Sequence, residues 1–196
     1  MKRMLLPALL LAVLSAVVAA RQDQAPMSND QWKRWLDQVA PLMMKTERDQ
    51  AKKVAPARRN EFRESFWLAR NPDPSSAVNP VRDEFEGRIL SADRRYRING
   101  KTVWNDCGRV YLLLGKPDFV KNNLVQQHFS ARDPMSTFVE QENTASEEWL
   151  YRNPPHLPTL PDGYVFRFNT SCEAIAGRTT DRLLQQAAAS YVVNAK

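Results

Sequence analysis

Two aspartates and an arginine carry the most usable chemistry in this chain. Asp106 and Asp118, with Arg109 beside the first, could form the paired carboxylates of a glycosidase-like hydrolase, which needs two acids facing one cleft. The apolar run Arg109-Val110-Tyr111-Leu112-Leu113-Leu114 between them reads as a strand. A strand there sets the two acids at its opposite ends, which counts against the pairing. The chain holds two histidines. His128 lies in a polar stretch, and His156 is flanked by Pro154, Pro155 and Pro158; both suit a surface loop better than a general base. There is no Gly-x-Ser-x-Gly elbow, zinc-binding His-Glu-x-x-His, phosphate loop or Cys-x-x-Cys pair. No cofactor and no metal site is expected, since two distant cysteines and two histidines make a weak zinc set.

The two cysteines, Cys107 and Cys172, have two readings. Outside the cytoplasm they can close a long loop as a disulfide, worth about 4 kcal/mol in the chain-entropy account. Otherwise they are two separate buried thiols. The compartment therefore matters, and the N-terminus speaks to it. Met1-Lys2-Arg3 precedes an apolar run from Met4 to Val18, then Ala19-Ala20 and the polar Arg21-Gln22-Asp23-Gln24. That order is a secretory leader, with cleavage expected after Ala20 and an uncleaved anchor as the alternative. The expected organisation is a signal peptide at 1–20, a linker at 21–27 and one domain at 28–196. The chain as a whole carries 28 basic and 22 acidic residues, a net +6. Loss of Lys2 and Arg3 with the leader leaves 26 against 22, or +4. The excess is small and dispersed, which argues against nucleic acid as a partner.

The elements that must position these groups divide the domain in three: a helical part (28–97), a strand-rich part (101–170) and a C-terminal helix (178–194). Ser28-Asn29-Asp30-Gln31 has the form of a capping box. Trp32, Trp35, Leu36 and Val39 follow at helical spacing, and Pro41 should kink or break the helix. Further helices are expected from Thr46 to Val54, from Ala57 to Ala69 and from Val81 to Tyr96. The run Asn71 to Ser76 cannot continue a helix, and Asn99-Gly100 marks a turn. Trp149-Leu150-Tyr151 and Tyr164 to Phe168 are further strands, the second alternating as a half-buried antiparallel strand should. Asn122 to Ser146 has little periodicity, and the proline-rich Asn153 to Gly163 should be a surface loop. Arg178 to Asn194 closes the chain as an amphipathic helix, with Thr180 its expected cap. The fold class is α+β: an N-terminal helical segment packed on a small, mainly antiparallel sheet, with a C-terminal amphipathic helix.

Two stretches resemble the GWxTD domain family, found in exported or envelope proteins of several bacterial groups. Phe66-Trp67-Leu68-Ala69-Arg70-Asn71-Pro72-Asp73-Pro74 is similar to that family's Phe-Trp-x-x-Arg-Asp-Pro segment, with Asn71 in place of Asp. Asp106-Cys107-Gly108-Arg109-Val110-Tyr111-Leu112-Leu113-Leu114-Gly115-Lys116-Pro117-Asp118 is similar to its Asp-Arg-Gly-Arg stretch, hydrophobic core and closing Gly-x-Pro-Asp. Glu148-Trp149-Leu150-Tyr151 also resembles a family strand. The name-giving Gly-Trp is replaced by Thr102-Val103; Trp104 fills the variable slot, Asn105 stands where Thr is usual, and Cys107 replaces an Arg. The resemblance implies a fold and an extracytoplasmic setting but no chemistry. It marks Trp67, Arg70, Trp104, Asp106, Gly108, Arg109, Tyr111, Gly115, Pro117 and Asp118 as motif and candidate binding residues.

These residues also have a structural explanation. Gly108 permits an unusual backbone conformation or a close neighbour. Asp106 can accept backbone hydrogen bonds in a turn, and Arg109 can pair with Asp106 or Asp118. Trp104 then packs over the same corner. The leading expectation is a non-catalytic envelope module that binds an envelope protein or cell-wall component. The membrane is touched only through an uncleaved leader. A hydrolase of an envelope polymer is the alternative, and a basic module docking on anionic headgroups a third reading.

Overall fold

The computed structural model describes residues 25–93, 95–97, 104–123, 145–157, 159–160 and 162–193. The leader, the Asn99-Gly100 turn, Thr102-Val103, His128 and most of the aperiodic stretch after Asn122 lie outside the described residues.

The α+β architecture is as expected. Helix α1 (Asn29–Val39) begins at the capping box: the Ser28 hydroxyl accepts from the Gln31 N–H and Gln31 Oε1 accepts from the Ser28 N–H, at 3.2 and 2.9 Å. It buries Trp32, Trp35 and Val39 and stops short of Pro41, whose ring cannot continue it. Helix α2 (Lys45–Ala51) is shorter than expected, and α3 (Arg59–Leu68) is entered through a 3₁₀ turn at Pro56–Arg58. Trp35, Phe62 and Phe66 meet edge to face between α1 and α3, at ring separations of 6.2 and 5.4 Å. Helix α4 (Pro80–Ala92) starts with proline in its first turn, where no N–H is missed, and is capped by Asn79. It ends at Ala92 rather than Tyr96.

The strand expected between the two aspartates is overturned. The run Arg109 to Leu114 is helix α5 (Asp106–Leu114), not a strand. Asn105 caps it, its Oδ1 accepting from the Gly108 N–H at 2.9 Å, and Gly115 follows the last turn at φ 78°, a left-handed conformation that favours glycine. The run looks strand-like because α5 is buried nearly all round, packed between α4 and α6, so the helical period disappears into a continuous apolar string. Cys107, Val110, Leu112 and Leu113 are fully buried there.

The sheet has three antiparallel strands in the order β1 (Phe119–Asn122), β2 (Glu147–Tyr151) and β3 (Tyr164–Phe168). Strand β1 has all four residues exposed and so lacks the alternation that reveals a strand. Phe119 lies opposite Leu150, and Trp149 opposite Phe166. One face buries Trp149, Tyr151, Phe166 and Phe168; the other carries Glu148 and Arg167, an ion pair at 3.3 Å. The proline-rich loop is not wholly superficial, since Leu157 is fully buried and Pro154 is buried. Helix α6 (Gly177–Ser190) inserts Leu183, Leu184 and Ala187. Thr180 is not its cap: it lies inside the helix, buried, because the helix starts earlier, at Gly177. No described helix is long and apolar enough to cross a membrane.

Candidate functional site

The motif residues gather around the two ends of α5 and at one point in the helical part. At the N-terminal end, Cys107 is bonded to Cys172, their Cα atoms 5.4 Å apart, so the disulfide reading holds. The bond ties the first turn of α5 to the loop leaving β3. Asp106 reinforces that junction. Its Oδ2 accepts from the Ala174 N–H at 2.9 Å, while its own N–H donates to the Cys172 carbonyl at 3.1 Å. Its Oδ1 accepts from Arg109 Nη1 at 2.9 Å, and Arg109 Nη2 reaches across to Asp181 of α6 at 2.7 Å. Of the two partners expected for Arg109, Asp106 is found and Asp118 is not. Gly108 is required for close approach: a Cβ there would stand 2.9 Å from Tyr96 Cβ and 3.2 Å from the Tyr96 carbonyl oxygen. Trp104 packs over the same corner at 5 % exposure, donating Nε1–H to the Asp37 carbonyl at 3.2 Å beneath the Arg97 guanidinium.

At the C-terminal end of α5 the last carbonyls are unpaired within the helix and must find partners elsewhere. Arg88 Nη1 donates to the Leu112 and Leu113 carbonyls at 3.0 and 3.1 Å. Tyr191 donates its hydroxyl to Leu113 at 2.6 Å, and Tyr151 donates its own to Gly115 at 2.8 Å. Burial pushes the Tyr191 phenol up to about 12, with Arg88 pulling the other way. Asp118 is spent locally: its Oδ2 accepts from the Arg152 N–H at 2.6 Å. Pro117 is buried beside it, and Tyr111 leans on Tyr96 at 5.7 Å. Asp106 and Asp118 therefore belong to opposite ends of one helix, and the structure does not bring them together.

Trp67 and Arg70 lie apart from both ends. Trp67 is buried against Phe66 and Phe85. Arg70 is fully buried, forked onto Glu47 at 2.8 and 2.7 Å, and donates to the carbonyls of Phe66 and Leu42 at 3.0 Å each. It stitches α2 to α3, and both residues are committed to packing.

Sequence reasoning missed the concave surface beside the motif. A cleft of about 520 Å³ lies between the α1–α2 turn and the α5–α6 pair, within the size range of ligand sites. Its apolar lining comes from Pro41, Met43, Met44, Leu113 and Leu184, and Trp104 and Arg109 reach its wall. Charged groups stand around it: Asp37, Lys45, Arg48 and Asp181. Asp181 pairs with Arg109, whereas Lys45 and Arg48 form no ion pair among the described residues. Asp37 Oδ2 is buried and accepts no hydrogen bond there. Three separate segments supply these residues, so no local spacing could have announced them.

His156 is likewise more than a loop histidine. Its ring stacks on Tyr191 at 3.6 Å, and its Nδ1 lies 3.0 Å from Ser190 Oγ. That hydroxyl already donates to the Ala187 carbonyl, so Nδ1 carries the proton and donates. The Ser190 hydroxyl is turned away from the base a nucleophile would need. Burial, with the nearby Arg88 charge, lowers the imidazole to about 4. Among the described residues no group of acidic, histidine and cysteine side chains could hold a metal ion. No protein-family model, curated protein or solved structure matches this chain.

Proposed function

We propose that the chain is an exported, GWxTD-like protein of the bacterial envelope that acts as a non-catalytic interaction module. One observation carries the reading. Asp106, Arg109 and Asp118, the residues with most chemical potential, are each spent on the chain's own backbone or charges at opposite ends of α5. The hydrolase alternative needs two acids in one cleft and draws no support from that placement. Export is supported by the leader pattern and by the Cys107–Cys172 bond, which persists in oxidising compartments and is rare in the cytosol. The partner is an envelope protein or cell-wall component taken through the cleft beside Trp104.

Two measurements test this. A phosphatase reporter that works only outside the cytoplasm, fused to the C-terminus, should be active in living cells. An inactive fusion ends the export claim. Crosslinking of the full chain in the native envelope should recover one stoichiometric partner, with crosslinks mapping to the α1–α2 turn or α6. Crosslinks spread evenly over the surface would remove support for a dedicated module.

A further inference from the structure

We infer that the free edge of β1 takes an added strand from a partner protein, an extended segment antiparallel to β1 with an acidic side chain opposite Lys121 and an apolar one opposite Phe119. This goes beyond the interaction-module reading and names a second surface, since the sheet contributes nothing to the cleft beside Trp104. The backbone calls for a strand. β1 is an end strand of the sheet and pairs only with β2. Asn123 donates its N–H to the Ser146 carbonyl at 2.8 Å, in register with the Phe119–Leu150 and Lys121–Glu148 pairs. Backbone groups alternate in direction along a strand, so Val120 and Asn122 turn theirs away from β2. Among the described residues nothing pairs with those N–H and C=O groups. The opposite edge of the sheet differs: β3 is bridged at Phe168 by Ala174, and the Arg167 carbonyl accepts from the Ile175 N–H. All of β1 is exposed, so a ligand can reach it. An open row of this kind accepts a further strand, main-chain hydrogen bonds giving affinity and alternate side chains giving specificity.

The side chains select which strand. On the solvent face Phe119, Leu150 and Val165 form one row across the three strands, and Lys121, Glu148 and Arg167 form the next. Phe119 ends the apolar row at 58 % exposure. The charged row alternates in sign, with Lys121 Nζ 3.9 Å and Arg167 Nε 3.3 Å from the Glu148 carboxylate. One acid is thus shared between two cations, and the row is positive at its free end. A strand that continues both rows places an apolar group beside Phe119 and a carboxylate beside Lys121. A second copy of the chain fits worse. The self-pairing that uses both outward residues of each copy bonds Val120 to Asn122 and sets Lys121 directly opposite Lys121 of the other copy, a like-charge pair that disfavours it.

The test is amide hydrogen exchange of the oxidised full chain, read by NMR, with a capped peptide of threonines in which a glutamate stands two positions before a valine. In the free chain the Val120 and Asn122 amides should exchange freely while those of Lys121 and Asn123 are protected. Saturating peptide should slow Val120 and Asn122 by about tenfold or more. A peptide with lysine in place of the glutamate should bind about fivefold more weakly, the size of a cross-strand charge contrast. Lys121→Glu should reverse that preference. Val120→Pro removes an N–H that β2 does not use, a change that edge strands tolerate, so this variant should fold and lose the peptide. Its melting curve checks the fold, and if it does not fold the charge reversal at Lys121 decides alone. Protection of Val120 and Asn122 in the free chain overturns the inference, because the edge is then already covered: by a second copy if protection grows with protein concentration, by the chain itself if it does not. Equal binding of the two peptides overturns it, and so does absence of binding. If the peptides fail while envelope crosslinks still map to the α1–α2 turn or α6, only the second surface falls; if the crosslinks fail as well, the module reading falls too.

Discussion

At its N-terminal end α5 is held by a covalent bond and a partly exposed ion network, whereas at its C-terminal end it is held by buried side chains donating onto its last carbonyls. The first anchor is Cys107–Cys172 with Asp106, Arg109 and Asp181. The second is Arg88, Tyr191 and Tyr151 on Leu112, Leu113 and Gly115. The contrast follows from position. A helix buried nearly all round has no water to satisfy its terminal groups, so the fold must supply partners at both ends. Near the surface a charged network suffices and a disulfide adds reinforcement; at the other end buried donors reach the carbonyls, and the one charged donor, Arg88, is neutralised by Glu84. The first anchor should therefore answer to redox state, the second to truncation and acid.

The largest effect should come from the covalent anchor. Reduction, or the paired change Cys107→Ser with Cys172→Ser, frees a loop spanning a sequence separation of 65 residues, worth about 4 kcal/mol of stability in the chain-entropy account. Urea unfolding with and without reductant measures it. An unchanged midpoint would mean that the bond does not constrain the chain in solution, and the contrast between the two ends would lose one of its sides.

Next comes Arg88→Met, which keeps the aliphatic stem but removes the donors to Leu112 and Leu113. Arg88 is only 12 % exposed, so both carbonyls lose a partner that water cannot readily replace, and the cost should be about 3 kcal/mol. The same urea series reads it. A loss much below 1 kcal/mol would show that Tyr191 alone satisfies that end. Gly108→Ala should follow at about 2 kcal/mol, because the added methyl would press on Tyr96 Cβ and its carbonyl and force either the turn or α5 to shift. Gly87→Ala, on the open side of α4 with nothing near the new methyl, is the control and should be neutral or mildly stabilising. Equal effects of the two changes would deny Gly108 its role at the corner.

How much of this was legible in the sequence depends on how local the cause is. The Ser28–Gln31 box and the stop before Pro41 are written in neighbouring residues, and both are found as read. The disulfide was half legible: two cysteines behind a secretory pattern permit it, but only the fold brings Cys172 to the first turn of α5. The mistaken strand at Arg109 to Leu114 shows the opposite limit. Periodicity reports which faces are buried, and a helix enclosed on most sides has no polar face to report. Asn105 and Gly115 were the available cues for a helix, its cap and its stop. At the candidate site, the Asp106–Arg109 contact is a helical i,i+3 neighbour, whereas Asp181 is 72 residues from Arg109 and carries no signal at that range. The cleft, built from three segments, was illegible for the same reason.

The smallest effect sharpens the contrast through pH. His156 stacks on Tyr191 at the second anchor, and burial together with the Arg88 charge lowers its pKa to about 4 from the ordinary 6.5. The fold thus prefers the neutral ring. Above pH 6.5 the ring is neutral in both folded and unfolded chains, and its contribution is fully present. Between 6.5 and 4 the unfolded chain takes up a proton that the folded chain refuses, so stability falls as the pH falls through that window. Because solvent reaches part of the ring, the loss at pH 5 should be on the order of 1 kcal/mol after allowance for screening. Many carboxylates titrate nearby, so the comparison that isolates the imidazole is His156→Phe, which keeps an aromatic ring on Tyr191 without a titrating nitrogen. The fall in urea midpoint from pH 7 to pH 5 should be smaller in the variant than in the parent. The disulfide-free variant should keep the parent's full pH dependence, because its lesion lies at the other end of α5. If the phenylalanine variant loses as much as the parent on acidification, the histidine is not the proton-sensitive part of the second anchor, and the two ends of α5 differ in redox response alone.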